Sequence, residues 1–211
     1  MSVSESNVSS ESTSAPERSR AETRRRLLAA GTECFARGGL HGVTSAQIAR
    51  AAGVATGTFY LHFPDKKALF REIVFEALDT LRARQDRAAS QVPADPASPL
   101  PAMRARLAEL LAVAEENRSL FRVLFGRDHE GAELGEDVLD DLVPGIEERL
   151  RERAALGEAP AGLHPAVAAQ AIAGMTARVV AWWVEDPSRA PRAEVIDTLL
   201  SMHPVGRGRD T

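Results

Sequence analysis

The chain has a single cysteine, Cys34, in 211 residues. One thiol excludes an intramolecular disulfide framework and suits a reducing compartment such as the cytoplasm. Long apolar runs are missing as well: none reaches roughly 18 residues, so no membrane-spanning helix is expected. The opening stretch MSVSESNVSSESTSAPE is rich in Ser and Glu and has no apolar centre, which argues against a secretory signal and for a disordered tail over 1–17. The signatures of catalysis are also lacking, with no GxSxG, P-loop or dinucleotide fingerprint. Neither an enzyme nor a cofactor is expected. His129, next to Asp128, Glu130 and Glu133, invites a metal reading, but with no HExxH, CxxC or second nearby histidine it reads as a solvated acidic loop. Cys34 falls on the apolar side of a helical segment and reads as a small core residue rather than a redox switch.

What is present is a globular composition, 44% hydrophobic and 27% charged, with ample material for a core. The net charge of −4 hides an asymmetry. Residues 18–67 carry nine basic against three acidic side chains, a net +6, while 68–211 carry 17 against 24, a net −7. A basic first quarter on an acidic body suggests a module for a polyanion joined to something else.

Periodicity predicts an all-α chain. Residues 20–38 form an amphipathic helix, with Leu27, Leu28, Cys34 and Phe35 on one side, stopped by Gly38-Gly39. Thr44 opens a second, short helix with a capping box to Gln47, and Gly53 ends it in a left-handed position. Asp65 caps a long helix carrying Leu69, Phe70, Ile73, Val74, Ala77, Leu78 and Leu81. The four prolines of QVPADPASPLP make 91–101 a loop. Further helices are expected from about 102, over 120–125, 138–155 (with Pro144 at a kink or near its start), 164–185 and 191–202. By propensity FYLHF, residues 59–63, alternates like a strand, but no partner strand exists; on a helix Phe59 and Phe63 become inward-facing neighbours. Residues 44–63 then read as helix, glycine turn, helix: the helix-turn-helix layout whose second helix enters the major groove of DNA. Gly57 weakens that helix by roughly 1 kcal/mol relative to alanine, a cost that close backbone approach to a groove or phosphate would explain.

The text CFARGGLHGVT, SAQIARAAGV and TGTFYLHFPDKKALF, with Thr44, Ile48-Ala49, Ala52-Gly53-Val54, Gly57-Thr58, Tyr60, Phe63 and Lys66 in place, resembles the DNA-binding domain of the TetR (tetracycline-repressor-like) family of transcriptional regulators over residues 23–70. The resemblance implies a homodimeric, ligand-responsive regulator, usually a repressor of a palindromic operator, built as a three-helix DNA-binding domain (18–67) and a larger helical ligand-binding and dimerisation domain (68–211). It places Thr44, Tyr60, His62 and Lys66 where phosphates are held, and Ser45, Ala46, Ala55, Thr56, Gly57, Thr58 and Leu61 where base edges can be faced. Thr58 also offers a hydroxyl suited to phosphate. Ala55 stands where many members have serine, and Thr56 where lysine or glutamine is common, so readout is expected to lean on methyl contacts, hydroxyls, water and DNA shape. Arg18, Arg20, Arg24 and Arg25 read as an arm toward the DNA backbone or minor groove, Arg20 and Arg24 foremost, and Arg26 as a solvated face. A dimeric helical adaptor without specific operator binding is the competing class.

Over 166–184 the chain is apolar nearly all round, which demands partners on more than one side. Ile172, Met175, Val179 and Trp182 are expected to face the chain's own core. Ala169, Ala173, Val180 and Trp183, with Val195, Leu199 and Met202 of the last helix, are expected to form a homodimer interface as a four-helix bundle. Met103, Leu107, Leu110, Phe121, Leu124, Phe125, Met175 and Trp182 lie on helices that enclose a ligand pocket in the family. The few polar residues in these stripes predict a small apolar or aromatic effector.

Overall fold

A computed structural model describes residues 15–93, 98–125 and 129–203, side chains at 129–132 excepted. Among the described residues there are nine α-helices, one 3-10 turn (Pro187–Arg189) and no strand. The helices are α1 (Ala15–Gly38), α2 (Ser45–Ala51), α3 (Thr56–His62), α4 (Lys66–Ser90), α5 (Leu100–Glu116), α6 (Arg118–Phe125), α7 (His129–Ala155), α8 (Pro165–Glu185) and α9 (Arg192–Met202). The expected tail lies outside the described residues up to 14, while 15–17 already belong to α1. FYLHF is helical, because its alternation is only the shadow of Phe59 and Phe63 packing one turn apart, ring centroids 5.9 Å.

The starts and stops follow local chemistry. Thr44 and Gln47 form the reciprocal capping box of α2, with the Gln47 N–H donating to Thr44 Oγ1 at 3.2 Å and the Thr44 N–H to Gln47 Oε1 at 2.8 Å. Asp65 accepts from the Ala68 N–H at 2.8 Å to open α4. Helix α3 has no side-chain cap, since Ala55 supplies none. One boundary departs from expectation. Helix α7 starts at His129 rather than 138, so the polar loop expected around His129 is helix from that residue onward, and Pro144 lies inside it. The side chains of Asp128, His129 and Glu130 lie outside the description; the described residues hold no group of three or more potential metal ligands.

Three buried clusters organise the molecule. The first joins α1 to α4 through Leu27, Phe35, Ile48, Phe59, Phe63, Leu69, Phe70 and Val74, and continues into α6 and α7 through Val123, Leu124 and Val138. The basic module therefore does not end at residue 67: α4 completes its core and carries on into the second body. The second cluster packs α5, α8 and α9 around Leu111, Val180, Trp183, Val184, Val195 and Leu199. The third packs α7 on α8 through Val143, Leu150, Ala169 and Ala173.

Helix α8 keeps Ile172, Met175 and Val179 against the chain's own core as expected, but it turns Trp182 outward and also buries the side expected at a dimer interface. Ala169, Ala173, Val180 and Trp183, expected at a dimer interface, are buried within the chain, as are Val195 and Leu199; of that set only Met202 is exposed. Small alanines let α7 approach closely, and Trp183 Nε1 is satisfied by the Ala190 carbonyl at 2.8 Å, so the indole closes the core instead of a partner. The next residue lies about 100° around the helix, which turns Trp182 outward, 40% exposed, with the Arg189 guanidinium over its ring. Val167, Ala171, Gly174, Arg178 and Trp182 make up the exposed stripe. By length and composition α8 could cross a membrane, with a mean hydropathy of 1.3 over its best window, contrary to the expectation that no segment would qualify. Alanines raise the average without an unbroken bulky run, and one face is committed to α5, α6 and α7.

Candidate nucleic-acid interface and internal cavity

The turn between α2 and α3 is built by Gly53 at φ +66°, with the Gly53 N–H donating to the Arg50 carbonyl at 3.1 Å and the Val54 N–H to the Ala49 carbonyl at 3.0 Å. Arg26, expected as a solvated face, reaches across from α1 and donates to the carbonyls of Ala52 and Gly53, the latter at 3.1 Å. Its guanidinium thereby satisfies the carbonyls that α2 leaves without helical partners. The signal missed was its place: one position before Leu27, its stem can lie along the buried side while its head reaches the turn.

With Phe59 and Phe63 inside, α3 presents Thr56, Gly57, Tyr60 and Leu61 outward. Tyr60 is 55% and Leu61 74% exposed, large apolar surface on an otherwise polar module. Thr58 and His62 are half-buried. A Cβ added at Gly57 would meet nothing, so no contact inside the chain requires glycine there. Burial first, then Arg20 and Arg24, lowers the His62 pKa below its ordinary value. Ala55 and Ala46 are exposed, Ser45 is half-buried, and Thr44 spends its hydroxyl on the cap of α2.

Two expected phosphate contacts are engaged within the domain. Arg24 donates through Nε to Glu72 at 2.9 Å and through Nη1 to the His62 carbonyl at 3.3 Å, and lies 4.5 Å over the Phe63 ring. It links α1, the end of α3 and α4. Lys66 donates to the Leu40 carbonyl at 2.6 Å. Arg20 is exposed beside His62 and leaves its charge toward solvent.

Behind α4 lies a cavity of about 470 Å³. Met103, Leu107, Leu110, Phe121, Leu124, Phe125 and Met175 line it; Trp182 does not, because it faces outward. Helix α4 contributes Val74, Ala77, Leu78, Leu81 and Gln85, so whatever fills the cavity touches the helix that completes the first core. The wall is not apolar throughout, as the sequence suggested: Arg106, Glu152, Arg149, Arg153 and His203 also line it. Their signature lay in the periodicity. Arg149 and Arg153 continue the stripe of Leu142, Ile146 and Leu150, and Arg106 sits between Met103 and Leu110. Burial, then Arg153 and Arg149, pushes the His203 pKa down to about 4.

These features define an all-helical protein with an N-terminal helix-turn-helix, a recognition helix that shows exposed tyrosine and leucine, and a second helical body enclosing a ligand-sized cavity. Residues 27–73 match the model of the bacterial regulatory proteins, tetR family. The HTH-type transcriptional regulator AcrR of Shigella flexneri is 31% identical over 104 residues, which is 49% of this chain and 48% of that protein, so the match spans about half the length of the curated relative. The fold is shared with the transcriptional regulator FadR of Bacillus subtilis, solved in complex with stearoyl-CoA, at TM-score 0.70 and 21% identity over 87% of this chain and 98% of that one. It is also shared with NalD of Pseudomonas aeruginosa, the secondary repressor of the MexAB-OprM multidrug efflux pump, at TM-score 0.66 and 24% identity over 92% and 100%.

Proposed function

We propose that the protein is a ligand-responsive transcriptional regulator that binds a palindromic operator as a homodimer, represses there, and is released by a small effector with an apolar body. The observation that carries this reading is α3: a short helix pinned by Phe59 and Phe63, with Tyr60 and Leu61 held in solvent. Large exposed side chains on an anchored helix need a partner surface, and the +6 charge over 18–67 selects a polyanion. Thr56, Thr58 and the Leu61 methyls suit hydroxyl and thymine-methyl contacts, and Arg20 and Tyr60 suit phosphates. Such a regulator works on the chromosome, which places it in the cytoplasm.

Dimerisation falls to the exposed stripe of α8 with Met202 of α9, giving two copies of α3 for two half-sites. The cavity is the effector site, and its contact with α4 supplies the coupling: a ligand that prefers one tilt of α4 shifts the population of DNA-competent dimers. FadR, which shares the fold, was captured with an amphipathic thioester, consistent with an effector of mixed character. Gel-shift titration against the DNA flanking the protein's own gene tests the reading. A discrete, salt-sensitive complex on a palindrome is expected. Uniform weak binding to all DNA would overturn it in favour of a helical adaptor.

A further inference from the structure

The polar end of the cavity gathers three guanidiniums, one of which has no direct acid partner among the described residues. Arg106, Arg149 and Arg153 line it against one carboxylate, Glu152. Two of the three have acids outside: Arg106 donates to Asp86 at 2.7 Å and Arg153 pairs with Glu158 at 2.9 Å. Arg149 has neither a hydrogen bond nor an ion pair among the described residues, and Arg153 Nε is buried without a hydrogen-bond partner. Burial and the neighbouring Arg106 make the Arg149 charge less favourable than in water, with Asp86 and Glu152 offsetting them in part, and a guanidinium does not lose its proton in a protein. His203, held neutral at the same end, supplies no counter-charge. Arg149 is open to solvent at the cavity mouth, and an anion with two acceptor atoms can engage its guanidinium together with the Arg153 N–H, four residues away on the same helix face.

Resting on the reading of the cavity as an effector site, we propose that its ligand is an amphipathic acid: one carboxylate on a hydrocarbon or aryl body. The carboxylate accepts from Arg149 and Arg153, and the body lies among Leu107, Phe121, Leu139 and Met175. The volume of about 470 Å³ lies in the range of roughly 300–1,000 Å³ usual for small-molecule sites. Neutral apolar compounds would leave Arg149 unpaired, and organic cations would be repelled by it.

Calorimetric titration of the full chain at neutral pH with decanoate, decanol and decylamine, matched in chain length, tests this. Decanoate should bind roughly tenfold or more tighter than decanol, the scale of one charge-assisted hydrogen bond, and decylamine weakest. Arg149→Gln should bring decanoate down to the level of decanol and leave decanol unchanged; Arg153→Lys, which keeps the charge and removes Nε–H, should give a smaller loss. Equal binding of acid and alcohol, or preference for the amine, overturns the head-group assignment and leaves the effector cavity standing. No binding of any of the three overturns both. A preference for the acid that survives Arg149→Gln overturns the role of Arg149. The comparison of ligands on the unaltered protein needs no variant to fold.

Discussion

Two glycines pull in opposite directions when given a methyl group, and the difference separates function from packing. Gly57 lies in the first turn of α3 with open space around it. Gly57→Ala should stabilise the fold, by about 0.5 kcal/mol or more in urea denaturation, and weaken operator binding in the gel shift. Unchanged affinity would remove the idea that the backbone there approaches DNA closely. The sequence singles Gly57 out because nothing in a short exposed helix favours glycine. The role of Arg26 was not, because a long side chain can end far from where its Cα sits. His203 gives a residue-scale prediction in pH. Its folded pKa of about 4 lies below the ordinary 6.5, so the unfolded chain binds more protons between those values. Stability therefore falls as pH drops from 6.5 toward 4. His203→Asn should lose less of its melting temperature over that window than the unaltered protein; identical curves would show that burial of His203 does not contribute.

At the scale of elements, Gly135 of α7 is the counterpart of Gly57. A Cβ there would strike the Leu124 carbonyl, so α6 and α7 meet backbone to backbone at this point. Gly135→Ala should destabilise by about 1–3 kcal/mol, although alanine is the better helix former. Chemical denaturation reads the sign directly. Most helix limits were legible from caps and glycine stops, as at Thr44, Gly53 and Asp65. The start of α7 was not: HEGAELGED offers no apolar stripe of its own before Leu134, and that turn packs only because Leu134, Val138 and Leu142 find the end of the first core. Tertiary contact overrode weak local preference. The same blindness misplaced the tryptophans of α8, where a helix apolar all round gives periodicity no means of telling which of them faces in.

For the whole molecule, the outward turn of Trp182 moves the expected contact between copies to a different stripe of α8. Trp182→Glu should leave the fold intact and convert dimer to monomer in sedimentation, with loss of tight operator binding. Val180→Glu, one face away and fully buried, should unfold the chain instead. If Trp182→Glu remains dimeric, the exposed stripe is not the interface. The division into a basic reader and an acidic body was plain from charge and from one dense stretch of sequence. That the two share a core was hidden, because the sharing depends on which side of α4 meets α6 and α7.

Helix α4 is 25 residues long, about 37 Å from end to end, and its two ends do different things. Near Lys66 it closes the core beneath the recognition helix, and further along it forms cavity wall through Leu81 and Gln85. Treated as a rigid lever pivoting at its far end, it needs a tilt of only about 5° to carry the near end through roughly 3 Å, close to the 3.4 Å step between successive bases along a strand. On the proposed coupling, a ligand that imposes such a tilt from the cavity would put the reader out of register by one base.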